Sequence, residues 1–300
     1  MSLQRPQGDE HDDVGDPEAT APFPTPGLPE GRVVELPGRG TTFVREVAGP
    51  PGAPTVVLLH GWTANSALNW FATYQPLGAH FRVVALDHRG HGLGLRTWRR
   101  FRLEDCADDV AALADVLGIE RMVPVGYSMG GPVAQLVWQR HRSRVQGLVL
   151  CATSRNFKSH PSEHAVFGVI AGLTVAARAA PVALRRRVAD RVLVARYEDT
   201  PLGRWAREQA RLNDLRSILE AGHALSTFSS KAWIGDVDVP TGVIIPRFDA
   251  TVPPRRQRRL AEAIPGSRVW EVDGAHDVCA VDPPAFVPAL LEACHHASGR

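Results

Sequence analysis

Val125-Gly126-Tyr127-Ser128-Met129-Gly130-Gly131 carries the spacing Gly-x-Ser-x-Gly, and its surroundings decide the fold. The apolar run 122–125 leads into it. Met129, Val133, Leu136 and Val137 lead out of it at the spacing of one helix face. A strand that turns so sharply into a helix holds its central residue in a strained conformation. Small residues two before and two after the serine let the two backbones approach. The hydroxyl is then lifted out at the carboxyl end of a sheet, where open α/β folds bind their ligands.

Outward from this turn, the chain repeats one pattern. Residues 32–36 and 41–47 flank Pro37-Gly38-Arg39-Gly40 and read as a hairpin. The runs 55–59, 82–86, 122–125, 147–151, 241–245 and 268–272 are short and apolar, or rich in β-formers, as strands buried in a sheet are. Leu103, Cys106, Ala107, Val110, Leu113, Ala114 and Leu117 follow helical spacing. Glu104 and Asp105 stand in that helix's first turn and Gly118 just beyond its last. A last helix is expected over 283–293. Alternating strands and helices predict an α/β fold: a mostly parallel, eight-stranded sheet with helices on both faces. The alternation is expected to run through 31–152 and 236–300. Residues 153–235 interrupt it, are helical in pattern and rich in Arg, and are expected to form a helical cap over the sheet. Within them 165–173 is too apolar for a solvated face and either packs on the sheet domain or lines an acyl pocket, with Phe167 and Ile170 as the expected substrate-binding residues. Residues 1–30, rich in Pro, Gly, Asp and Glu, are expected to be a disordered tail.

Composition narrows the function. The 300 residues carry a net charge of +2 with both signs mixed, which gives no reason to expect nucleic acid. Arg185, Arg186, Arg187 and Arg191 interleave with Asp190, Glu198 and Asp199, and read as a solvated face rather than a membrane-docking one. The N-terminus lacks a basic start followed by an apolar run. The longest apolar stretch, 165–177, is broken by Gly168 and Gly172 and is shorter than the roughly 20 residues of a membrane span. A cytoplasmic protein with no integral membrane segment is expected. Cys106, Cys151, Cys279 and Cys294 form no CxxC pair and no zinc spacing. They are expected to be buried free thiols, with no metal bound.

A serine hydroxyl needs a base to take its proton and an acid to hold that base. His276 follows the run 268–272 through Asp273-Gly274-Ala275. Asp249 follows the run 241–245 and lies between serine and histidine in chain order. Asp273 and Asp277 adjoin the histidine and would strain to reach its far nitrogen. His60-Gly61-Trp62 follows the run 55–59, where a loop amide could face a carbonyl oxygen. Asp87-His88-Arg89-Gly90-His91-Gly92 reads as a structural turn that supports the site.

Together these motifs resemble the α/β-hydrolase superfamily, in its cap-bearing branch of esterases, peroxidase-like enzymes and carbon–carbon bond hydrolases. The resemblance covers residues 33–295. It implies Ser128, Asp249 and His276 as the catalytic triad, the amides of Trp62 and Met129 as the oxyanion hole, and no cofactor. The expected partner is a small hydrophobic or acyl substrate with an ester-like bond. Thioester hydrolysis, acyl transfer, perhydrolysis and carbon–carbon cleavage use the same triad and stay open, as does a non-catalytic ligand-binding role. Leu93-Gly94-Leu95 and Arg247-Phe248 depart from the family's usual residues beside the site. The serine excludes the branches that use an aspartate nucleophile.

Overall fold

The computed structural model describes residues 27–158, 161–195 and 197–300, with the backbone alone at 161–164 and 166. Eight strands form one sheet: β1 (Gly31–Leu36), β2 (Gly40–Val47), β3 (Thr55–Leu59), β4 (Arg82–Leu86), β5 (Met122–Tyr127), β6 (Leu148–Cys151), β7 (Thr241–Pro246) and β8 (Arg268–Val272). Their order is β1-β2-β4-β3-β5-β6-β7-β8. The β1–β2 hairpin and the β2–β4 pair are antiparallel, and all other neighbours are parallel.

The helices are α1 (Ser66–Trp70), α2 (Tyr74–Gly78), α3 (Leu103–Val116), α4 (Gly130–Arg140), α5 (Pro161–Ala179), α6 (Val182–Ala189), α7 (Pro201–Arg211), α8 (Leu215–Thr227), α9 (Pro254–Ala261), α10 (Val278–Val281) and α11 (Pro283–Ser298). A π-helical turn, Asp190–Val194, continues α6. Four of these helices, α5 to α8, lie between β6 and β7, the stretch where strand–helix alternation stops. The short helices α1, α2, α9 and α10 carry too few turns for periodicity to reveal them, and α11 outlasts its expected end by five residues.

Strand period builds the core. In β3, Val57 and Leu59 point to one face and Val56 and Leu58 to the other. In β4, Val84 and Leu86 oppose Val83 and Ala85, and in β6 Leu148 and Leu150 oppose Val149 and Cys151. The first face is covered by α3 and α4, with Leu103, Val110, Leu113, Val133 and Val137 fully buried. The second is covered by α2 and α11, through Tyr74, Leu77, Phe286 and Leu290. All four cysteines are free and buried.

Residues 1–26 of the expected tail lie outside the described residues. Residues 27–30 do not behave as tail: Leu28 packs beside the Trp205 cluster, and the Pro29 carbonyl accepts from Arg45 at 2.6 Å. One leucine was enough to seat the last four residues of a segment whose composition is otherwise polar.

Candidate active site

The strand order fixes where a site can form. From β3 the chain crosses to β4 on one side and returns to β5 on the other, so the sheet divides at the carboxyl ends of β3 and β5. Gly61 follows the first strand and Ser128 the second.

Ser128 sits in the left-handed region at φ 51°, a conformation that costs roughly 1–2 kcal/mol in a non-glycine residue. Its backbone is held at both ends. Its N–H donates to the Cys151 carbonyl at 2.9 Å, and its carbonyl accepts from the Gly131 N–H at 3.0 Å and the Thr153 hydroxyl at 2.8 Å. The flanking glycines are required by space. A β-carbon on Gly126 would stand 2.3 Å from the Gly130 carbonyl oxygen, and one on Gly130 would stand 2.0 Å from that of Leu59.

The structure brings the three predicted residues together. Ser128 Oγ lies 3.0 Å from His276 Nε2, and His276 Nδ1 lies 2.8 Å from Asp249 Oδ2. The Asp249 side chain is fully buried and its carboxylate is saturated. Oδ1 accepts from the amides of Thr251 at 2.9 Å and Val252 at 2.8 Å, and Oδ2 also accepts from Gln257 Nε2 at 3.0 Å. A carboxylate that accepts on every side requires Nδ1 to be the donor. That leaves Nε2 free to accept the serine proton. Asp273 instead pairs with Arg247 at 3.2 Å, away from His276.

Three supporting residues were not assigned a role from the sequence. Gln257, on α9, anchors Asp249 and donates as well to the Val252 carbonyl at 2.7 Å. The Tyr127 hydroxyl donates to the His276 carbonyl at 2.7 Å and ties down the histidine loop. Asn69 Oδ1 accepts from the Gly61 amide at 2.8 Å and holds the loop that runs beside Ser128. Gly-x-Ser-x-Gly announces Tyr127 by position, but side-chain amides eight residues from their partner have no pattern to announce them.

Trp62 and Met129, expected from the sequence to supply the oxyanion hole, directly follow Gly61 and Ser128. Among the described residues neither backbone amide has a hydrogen-bond acceptor. Two idle N–H groups beside a serine hydroxyl suit a developing oxyanion. The Trp62 indole N–H donates to the Ile218 carbonyl of α8 at 2.8 Å, which joins this loop to the inserted helices.

Behind the loop lies a cluster of fully buried histidines. His60 Nδ1 donates to the Gly61 carbonyl at 2.8 Å, and its Nε2 accepts the His88 backbone N–H at 2.9 Å. Its ring centre lies 4.4 Å from that of His88 and 5.3 Å from that of His91. Burial lowers His60 to about 4. Burial, aided by the nearby His60, lowers His91 to about 3, and His88 is driven well below the ordinary histidine value for the same reasons. Asp87 and Arg89 of the same turn are structural. Asp87 accepts from the Ser66 and Leu93 amides, and Arg89 clasps Asp109 with two bonds of 2.8 and 2.7 Å. The cluster predicts acid sensitivity. A histidine whose folded pKa lies below its unfolded value of 6.5 costs the folded state nothing above pH 6.5, and stability is lost as pH falls below it toward 3–4. Each histidine contributes a slope of up to about 1.4 kcal/mol per pH unit. Urea unfolding should therefore show stability falling steeply between pH 6.5 and 5, where ordinary carboxylates barely titrate, and His91→Gln should make that slope shallower. A flat profile over this window would refute the assignment.

Ser128 and His276 open into a pocket of about 530 Å³. Its apolar walls come from Leu68 of α1, from Phe71 at the end of that helix, and from Leu202, Trp205 and Ala206 of α7. This corrects the sequence reading of the lining: Phe167 and Ile170 do not line this pocket. Both are half-buried on α5, which packs along α8, and Ile170 closes on Gly222 beside the Trp62 indole. From 165 to 177 helix α5 carries no charged residue on any side, so periodicity could not say which side turns inward. Helix α7 is amphipathic, and its Leu202, Trp205, Ala206 spacing was the available signal.

Comparison with known proteins agrees with this architecture. The model of the alpha/beta hydrolase fold family matches residues 54–283. A protein of Agrobacterium fabrum named for carbamate hydrolysis, RutD, is 29% identical over 248 residues, which cover 80% of this chain and 92% of its own. Among solved structures, an enol-lactonase from Burkholderia xenovorans LB400 superposes with a TM-score of 0.72 at 25% identity, over 87% of this chain and 98% of its own. A hydrolase from Pseudomonas aeruginosa PA01 has a TM-score of 0.75 at 21% identity, over 88% and 97%, and shares the fold. No described helix is long and apolar enough to cross a membrane. Matched over most of its length, the chain belongs to the α/β-hydrolase family and is a hydrolase of that fold.

Proposed function

We propose that the protein is a serine hydrolase that cleaves ester-like bonds of small hydrophobic acyl compounds. The observation that carries this reading is the unbroken chain Asp249–His276–Ser128, with contacts of 2.8 and 3.0 Å, ending in an apolar pocket. In this mechanism His276 Nε2 takes the Ser128 proton as Oγ attacks the substrate carbonyl. The negative charge moves to the carbonyl oxygen, where the Trp62 and Met129 amides receive it, each worth roughly 10²–10³ in rate. The imidazolium is steadied by Asp249 and returns its proton to the leaving alcohol as the tetrahedral intermediate collapses. Water, deprotonated by the same nitrogen, then attacks the acyl-enzyme and frees the acid. The helices between β6 and β7 act as the cap, because α7 supplies the pocket's far wall.

The pocket's walls set the test. Over p-nitrophenyl esters of increasing acyl length, kcat/KM should rise by up to about four-fold per methylene until the pocket fills. Leu202→Ala and Trp205→Ala should flatten the rise while leaving the acetate ester nearly unchanged. A series that is flat in the wild type would mean a small or polar substrate.

A further inference from the structure

We propose that the solvent side of α5 and α6 is a docking surface for an anionic lipid bilayer. Seven of the fourteen exposed large apolar side chains among the described residues fall within 169–192. On α5, no charged side chain occurs from Ala165 to Ala177, and the exposed positions 165, 168, 169, 172, 173, 175 and 176 are all Ala, Gly, Val or Leu. The one hydroxyl there, on Thr174, is spent on the Ile170 carbonyl at 2.8 Å. On α6 and its π-helical continuation, Leu184, Val188 and Val192 repeat every four residues and are exposed, while Arg185, Ala189 and Leu193 are buried. A folded chain rarely leaves so much apolar surface on adjoining helices unless something covers it.

Charge identifies what covers it. Of the three acids that interleave with the arginines in sequence, Asp190 pairs with Arg211 at 3.2 Å, Asp199 pairs with Arg204 and Arg207 at 3.6 and 3.2 Å, and Glu198 lines the pocket beside Ser128. Arg186, Arg187 and Arg191 remain exposed with no ion pair among the described residues. An apolar stripe edged by free arginines matches acyl chains below and lipid phosphates or carboxylates at the interface. A second copy of the chain across a two-fold axis would set these arginines against each other. Residues 1–26 are acidic but hold few large apolar groups to cover the stripe.

Vesicle sedimentation tests the proposal with the full chain. The protein should sediment with phosphatidylcholine vesicles containing about a quarter phosphatidylserine, and far less with pure phosphatidylcholine or in about 1 M salt. Replacing Arg186, Arg187 and Arg191 together by glutamine should weaken binding about 100-fold, at roughly five-fold per arginine. Val169→Ser with Leu173→Ser should also weaken it at least ten-fold. Both sets are surface changes, so hydrolysis of a soluble short ester should be unaffected. No binding to the anionic vesicles, or binding that survives the arginine changes, would overturn the proposal. So would a dimer in sedimentation equilibrium that Leu173→Glu dissolves, since the face would then belong to a second copy.

Discussion

Ser128→Ala should lower kcat by about 10⁴–10⁶ while leaving the protein folded. The loss corresponds to about 5–8 kcal/mol of transition-state stabilisation. Among the described residues the hydroxyl's one hydrogen bond is with His276 Nε2 at 3.0 Å, so its removal leaves no buried group stranded. The backbone bonds that hold position 128 at φ 51° come from Cys151, Gly131 and Thr153 and do not involve the side chain. Melting temperature should therefore stay close to that of the wild type. Residual turnover would come from the Trp62 and Met129 amides and from binding in the pocket. Steady-state rates on the best p-nitrophenyl ester check this. A loss of less than ten-fold would remove Ser128 from the mechanism.

Asp249→Asn should cost on the order of 10⁴ in kcat, through the tautomer of His276. The reason is local. Thr251 and Val252 donate to Oδ1, so an asparagine would keep its carbonyl oxygen there and place its amide group where Oδ2 was. That amide would then face the N–H groups of His276 and Gln257, donor against donor. The imidazole escapes by moving its proton to Nε2, which can no longer accept from Ser128. The clash also strands buried polar groups, at about 1–3 kcal/mol of stability, so circular dichroism must accompany the kinetics. Asp273→Asn and Asp277→Asn should stay within a few-fold of the wild type. If either of these is the inactive variant, the acid is misassigned.

Much of the fold is legible in the sequence because the central strands are buried on both faces. Runs such as Thr55–Leu59 and Met122–Tyr127 leave no exposed position to blur the pattern, and the turns between strand and helix are marked by glycine. Ser128 and Asp249 were legible for a related reason, since each follows one of those buried strands, whereas His276 follows β8, an exposed edge strand marked only by its β-formers. The inserted helices were not. Their existence followed from helical spacing, but the partner each face chooses is a tertiary matter, and Ile170 turned toward α8 while Leu202 and Trp205 turned toward the pocket at Ser128. Gln257 and Asn69 were invisible because a single amide that satisfies a distant loop leaves no periodic trace.

Whether Ser128 is the nucleophile is tested most directly by a fluorophosphonate, which bonds covalently to an activated serine. Intact mass after incubation should rise by one adduct, and peptide mapping should place it on Ser128. His276→Ala should abolish labelling by removing the base. An adduct on another residue, or undiminished labelling in Ser128→Ala, would contradict the account.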